Sequence, residues 1–351
     1  MVAAVPNLVY VGTYTRSGRS GGIHAFDHDA AAGTLTPLAI TELADPSFLA
    51  FDPTRQFLFA VSEGEGRDGG AVASFRIDPQ SGALTQLSHQ PTGGGEPCHL
   101  CSDPSGKWLI VANHEHGSVA VLPIDAEGRL GPMTELRQHE GSGPGPTQTG
   151  PHAHFVTFDP TGERLLVCDK GIDQVVSYRL RDGHLEPANP PFGRLHAGAA
   201  PRHLSFHPNG RFAYVNGEAD MTITAFSYTD GTFEELQVLP TVPEDADRTG
   251  FSTAQILVEP GGRFVYVSNR GHDSIAAFAI NPATGLLSPL GTVPTQGRTP
   301  RNFTFDPAGK RAYVANQGSD TVVPFSIAAN GQLQQTGEVT AVGAPVCVLF
   351  R

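Results

Sequence analysis

Residues 259–270 read EPGGRFVYVSNR, a Pro/Gly turn followed by an alternating run of β-branched and aromatic residues. The same phrase returns as DPTRQFLFAVSE from Asp52, DPSGKWLIVANH from Asp103, DPTGERLLVCDK from Asp159, HPNGRFAYVNGE from His207 and DPAGKRAYVANQ from Asp306. Its turn prolines stand at 53, 104, 160, 208, 260 and 307, a mean period of about 51 residues. Repetition at that length signals a solenoid, a propeller or an array of domains.

The content of one repeat decides among these. A short apolar segment such as PSFLAF, PRHLSF or PRNFTF precedes each turn, so the turn joins two strands into an antiparallel hairpin. A second turn (NRGHDS, NQGSDT, DKGIDQ) leads to a third strand, SIAAFAI, TVVPFSI or QVVSYRL, and a weaker fourth follows, as in GLLSPLGTV. Four antiparallel strands in about 50 residues make the blade of a β-propeller. No stretch carries convincing helical periodicity, which excludes an α/β reading.

Six hairpins are complete. The N-terminal NLVYVGTYT and GIHAFDHD match second and third strands, and the missing first strand is supplied by GAPVCVLF, Gly343 to Phe350. The expected fold is therefore all-β: one seven-bladed propeller domain over 1–351, whose last blade is closed by both termini.

Composition sets outer bounds. The 41 glycines and 29 prolines serve turns rather than disorder, and 23 basic against 35 acidic residues give a net charge of −12, which disfavours nucleic acid and anionic membranes as partners. No run approaches the roughly 18 apolar residues of a membrane span. The start, MVAAVPNLVYVGTYT, lacks a basic signal-peptide region, and four irregularly spaced cysteines (98, 101, 168, 347) read as free thiols. These features predict a cytoplasmic protein, a monomer or weak homodimer, acting on a small anionic molecule.

The turn proline serves as a ruler for the chemistry. In each hairpin the start of the first strand and the end of the second lie on one face of the disc, around the channel. Six residues before the proline stand Ser47, Cys98, His154, Arg202, Ala254 and Arg301; ten after it stand Glu63, His114, Lys170, Glu218, Arg270 and Gln317. Ionisable groups at such positions are either a solvated ion network or a cup for an anion. Arg202, Arg270 and Arg301 beside Glu218 and His154 would form a positively biased cup. His114, His152 and His203 stand beside these positions as further substrate contacts. The insertions GSGPGPTQTG (141–150) and VPEDADRTGFS (242–252) precede first strands on the same face, as pocket walls or as plain surface loops.

Other signals are weaker. Cys98 and Cys101 are three apart on a strand and face opposite ways, and neither the His114-Glu115-His116 turn nor the His152/His154 pair has a further ligand at fixed offset, so no metal and no cofactor is expected. The glycine runs lack the context of a phosphate loop, there is no G-x-S-x-G elbow, and the single Trp108 lies in a strand, where it reads as a core residue.

The phrases VYVGTYT…GIHAF, GPHAHFVTFDP, APRHLSFHPNGRFAYVNGE and RFVYVSNRGHDSIAAF resemble the lactonase family of seven-bladed propellers. That family includes propeller-type 6-phosphogluconolactonases and is similar to the carboxy-cis,cis-muconate cyclases. The resemblance covers essentially the whole chain and implies His154, Arg202, Glu218 and Arg270 as the catalytic group. The resulting expectation is a metal-independent hydrolase of 6-phosphogluconolactone or a related aldonolactone. In it Glu218 deprotonates water, Arg202 and Arg270 hold anionic charge, and His154 protonates the leaving ring oxygen. The alternatives are a muconate-type lactonizing isomerase and a non-catalytic binding propeller.

Overall fold

The computed structural model describes residues 6–64 and 69–351. The first five residues, on which the reading of the chain's start partly rests, lie outside that range. Seven antiparallel sheets succeed one another along the chain, each running first to fourth strand from the channel outward. In blade 1 the first strand is Pro345–Phe350 and the second is Leu8–Thr13, paired Val9 to Phe350, Tyr10 to Leu349 and Val11 to Val348, so the two ends of the chain close the ring as expected. Blades 2 to 7 begin with Leu49–Phe51, Pro97–Ser102, Ala153–Phe158, Pro201–Phe206, Ser252–Val258 and Pro300–Phe305. In blade 7 the outer strand is broken into Leu333–Gln335 and Thr340–Ala341, on either side of Gly337 with its φ of 70°.

Second strands are buried on both faces, because each blade packs against a neighbour on either side. All six residues of Phe264–Asn269 are buried, so the alternation read in the sequence separates two packed faces rather than core from solvent. The apolar clusters accordingly span blade pairs: Ile110, Ala112 and Val121 of blade 3 meet Val156, Leu165 and Val167 of blade 4, and Tyr214 and Ile223 of blade 5 meet Val265, Val267 and Phe278 of blade 6. Trp108 sits half-buried at the margin of such a cluster instead of inside it.

Polar fasteners complement this packing. The hydroxyls of Tyr10, Tyr214 and Tyr266 donate to the carbonyls of Gly82, Gly285 and Gly331 in the next blade at 2.8–3.1 Å. At the opposite end of the second strand, Asn113, Asn269 and Asn316, all fully buried, donate to Thr92, Thr241 and Thr295 of the preceding blade at 3.0–3.1 Å. These asparagines immediately precede His114, Arg270 and Gln317, so each of those side chains leaves a locked backbone.

The turns repeat one device. The carboxylate of Asp103 accepts the backbone N–H groups of Ser105, Lys107 and Trp108 at 2.8–3.0 Å, and Asp52, Asp159, Glu259 and Asp306 accept turn N–H groups in the same way. An acceptor satisfies donors that a tight turn leaves unpaired, which accounts for the acidic residue that opens the repeated phrase.

Candidate active site

The residue that closes or follows the second strand is Tyr14, Glu63, His114, Lys170, Glu218, Arg270 and Gln317 in blades 1 to 7. All seven line one cavity of about 440 Å³ at the mouth of the channel, joined by Cys98, His154 and Arg301 from first strands. All of the second column found with the proline ruler therefore meets here, with three of the six members of the first; Ser47, Arg202 and Ala254 stay outside the lining. Tyr14 completes the outer column, and its position was hidden because blade 1 has no turn proline to count from. Arg16 and Ser17, on the 3-10 turn Thr15–Ser17, and Glu96 supply the rest of the wall.

First strands carry a consistent irregularity here. In blades 1 and 3 to 7 the register with the second strand slips at the mouth end, at Ala153/Phe155 in blade 4 and Pro201/Leu204 in blade 5. Such bulges re-aim side chains, and here they turn two consecutive residues toward the channel. The upper residues of blades 3, 4 and 7 (Cys98, His154, Arg301) reach the cavity. The lower residues His99, Phe155 and His203 form a plug beneath it with Phe48 of blade 2, ring on ring, with centroids 3.9, 4.2 and 4.8 Å apart in succession.

Glu218 is the electrostatic centre. Its Oε1 lies 2.8 Å from Lys170 Nζ and 3.4 Å from Arg270 Nη2, and its Oε2 lies 3.0 Å from Arg202 Nε. Burial alone pushes the carboxyl up, but Lys170, Arg270 and Arg202 together hold it well below the usual carboxylate range. Burial pulls Lys170 down despite Glu218, and it pulls Arg202 down to about 9, aided by Arg270. Arg270 also donates to the Thr253 carbonyl at 2.9 Å.

His154 is different in kind. Among the described residues its ring makes no hydrogen bond, and Nδ1 is buried without a hydrogen-bond partner. Burial, then the charges of Arg202 and Lys170, hold it well below the ordinary histidine value, so it is neutral at pH 7. His114 touches both halves of the cluster, with Nδ1 3.3 Å from Glu96 Oε2 and Nε2 3.4 Å from Lys170 Nζ. Since a carboxylate only accepts, Nδ1 carries the proton and Nε2 accepts from the ammonium.

The remaining sequence candidates lie around the cavity rather than in its wall. Arg202 is one layer deeper, its side chain 3% exposed, donating to the Ala254 carbonyl at 2.6 Å and to His203 Nε2 at 3.0 Å. His203 belongs to the plug, and its Nδ1 donates to Gln255. His152 stands at the rim, where Nδ1 donates to the His114 carbonyl at 3.0 Å and the ring stacks on that of His114 at 4.9 Å.

Neither long insertion lines the cavity. Gln148 of the first instead holds the Lys170 carbonyl at 2.7 Å, fixing that residue from behind. Among the described residues no group of three or more His, Cys, Asp or Glu is placed to hold a metal ion.

Residues 8–350 match the Lactonase family, described as a 7-bladed beta-propeller. The chain belongs to that lactonase family. It is 38% identical over 301 residues to the 6-phosphogluconolactonase of Bacillus subtilis, covering 85% of this chain and 84% of the relative. It is 31% identical over 306 residues to the 6-phosphogluconolactonase of Formosa agariphila, covering 85% and 86%. Among solved structures, the periplasmic gluconolactonase of Pseudomonas aeruginosa superposes with a TM-score of 0.93 at 34% identity, covering 99% of both chains. This lactonase-family propeller thus resembles relatives named for a phosphorylated and for an unphosphorylated lactone.

Proposed function

We propose that the protein hydrolyses a sugar lactone, 6-phosphogluconolactone or a related aldonolactone, to the free acid in the channel-mouth cavity. The observation that carries this reading is the convergence of three cations on Glu218 beside a neutral histidine whose ring has no hydrogen-bond partner among the described residues. Hydrolysis of a lactone places negative charge on the carbonyl oxygen and needs one proton moved from water to the ring oxygen. Lys170 and Arg270 face the cavity and can turn part of their donor capacity to that oxyanion. Arg202, fixed beneath, keeps Glu218 in place.

The geometry favours a division of labour different from the one expected. Glu218 is ion-paired with Lys170, Arg202 and Arg270, which hold it ionised, so although its Oε2 accepts no hydrogen bond it is a weak base and an organiser of charge. His154, with a free ring nitrogen, accepts the proton as water adds to the carbonyl carbon and returns it to the ring oxygen as the ring C–O bond breaks. Burial is the larger cause of its low basicity, and an anionic substrate offsets the part that comes from Arg202 and Lys170.

His154→Ala tests the assignment. The expected result is a fall in kcat/KM of about 10²–10⁴, partly restored by added imidazole. Full activity of His154→Ala, with Glu218→Gln inactive, would return the base to Glu218.

The same reading takes the chain to be a cytoplasmic enzyme, a monomer or weak homodimer, with a small anion and no nucleic acid or membrane as partner. Free Cys98, Cys101, Cys168 and Cys347 support the compartment, and no helix among the described residues is long and apolar enough to cross a membrane. Because the Pseudomonas relative is named periplasmic, cell fractionation is the deciding check.

A further inference from the structure

We infer that Arg301, braced on the ring of Tyr14, is the seat of a second anionic group on the substrate, a phosphate monoester, and sets the preference for a phosphorylated over a neutral lactone. This inference rests on the lactonase reading above and adds which end of the substrate lies where.

Pairing singles out Arg301. Arg16 is engaged by Asp45 at 3.0 Å and by Glu63, and Lys170, Arg202 and Arg270 share Glu218. Arg301 lines the same cavity, yet among the described residues it has neither an ion pair nor a hydrogen bond. Its one close partner is the face of Tyr14, 5.1 Å from guanidinium carbon to ring centroid. The nearby carboxylate of Glu63 is already satisfied, by the Tyr14 hydroxyl at 2.8 Å and by Arg16. A guanidinium largely removed from water with its donors unused is costly unless a ligand completes it. Its planar fork suits phosphate oxygens, and stacking on an aromatic ring leaves the donor edge free.

Charge and spacing agree. The side of the cavity formed by blades 4 to 7 holds Lys170, Arg202, Arg270 and Arg301 against Glu218 alone, an excess that a dianion reduces and a neutral sugar does not. A phosphate monoester carries nearly two negative charges at pH 7. Arg301 enters from blade 7 and His154 from blade 4, three blades away around the ring. A substrate with its carbonyl at His154 would therefore direct its far end toward Arg301. In a 6-phosphorylated lactone that far end bears the phosphate. Arg270, expected from the sequence to hold anionic charge, is already engaged by Glu218 and by the Thr253 carbonyl.

Two measurements test the seat. The first is kcat/KM for freshly generated 6-phosphogluconolactone and for gluconolactone with wild type, Arg301→Gln and Arg301→Lys. The expected result is that Arg301→Gln lowers the ratio of the two values about 10- to 100-fold, the loss of one or two charge-assisted hydrogen bonds, with Arg301→Lys in between. The second is calorimetric binding of inorganic phosphate, which needs no turnover; Arg301→Gln is expected to weaken it at least about 10-fold. An unchanged substrate ratio, or phosphate binding equal in wild type and both variants, overturns the inference. Phosphate binding that depends on Arg301, with no turnover of either lactone, supports the seat and overturns the hydrolase reading instead.

Discussion

The two ends of each blade's first hairpin obey opposite rules. At the turn end the chemistry is nearly the same in every copy: a carboxylate opens the turn and accepts its backbone N–H groups, as Asp103 does for Ser105, Lys107 and Trp108. At the mouth end the backbone is equally well fixed, by Asn113, Asn269 and Asn316, but the next side chain varies, with only glutamate used twice in the seven blades. Seven copies of one scaffold thus present Tyr14, Glu63, His114, Lys170, Glu218, Arg270 and Gln317 to a single cavity. Repetition builds the ring, and divergence at one repeated position builds the site.

The sharpest way to break this comparison is to open the ring. Deleting Gly343–Arg351 removes the first strand of blade 1, which pairs with Leu8–Thr13, and leaves a sheet edge and two apolar blade faces uncovered. The expected outcome is loss of the cooperative melting transition of the whole chain, so that 1–351 behaves as one folding unit. A truncated form that melts like wild type would show that the blades do not depend on closure.

A smaller but still large effect is expected at the mouth. Glu218→Gln leaves Lys170, Arg202 and Arg270 without their shared carboxylate and should cost about 3 kcal/mol at pH 7, read by denaturant melts. The sign with pH follows from the depressed folded value of Glu218. Its contribution is complete above about pH 4.5, the ordinary glutamate value, and is lost as pH falls below it toward the folded value. The stability gap between wild type and variant should therefore be wide at pH 7 and narrower at pH 3. The least effect belongs to the turn end, where Asp103→Ala should cost about 1–2 kcal/mol through three backbone donors while leaving kcat/KM for the lactone unchanged. A drop in kcat/KM there would mean that the two ends are not independent.

Much of this division is legible in the chain because a turn proline fixes the register of each hairpin. Counting from it reaches His154, Arg202, Glu218, Arg270 and Arg301 without knowledge of the fold's interior. Where the ruler is absent the reading stops: blade 1 is divided between the termini, so Tyr14 stays hidden although VYVGTY parallels VYVSNR. The sequence also misplaces His203, offered as a substrate contact, because strand alternation does not foresee the bulges that turn it and Phe155 into the plug. Arg16 and Glu96 arrive from connecting segments that no periodicity marks. The partition of cations between Glu218 and the free Arg301 is a matter of three-dimensional pairing, which spacing alone does not contain.

The most direct test of the central claim is proton release from freshly generated 6-phosphogluconolactone, in chelator-treated buffer and above the spontaneous rate, by wild type and by His154→Ala. Rapid release by wild type and release lowered about 10²–10⁴-fold in a folded His154→Ala variant is the result this account predicts. Background release by wild type itself, or undiminished release by the variant, would contradict it.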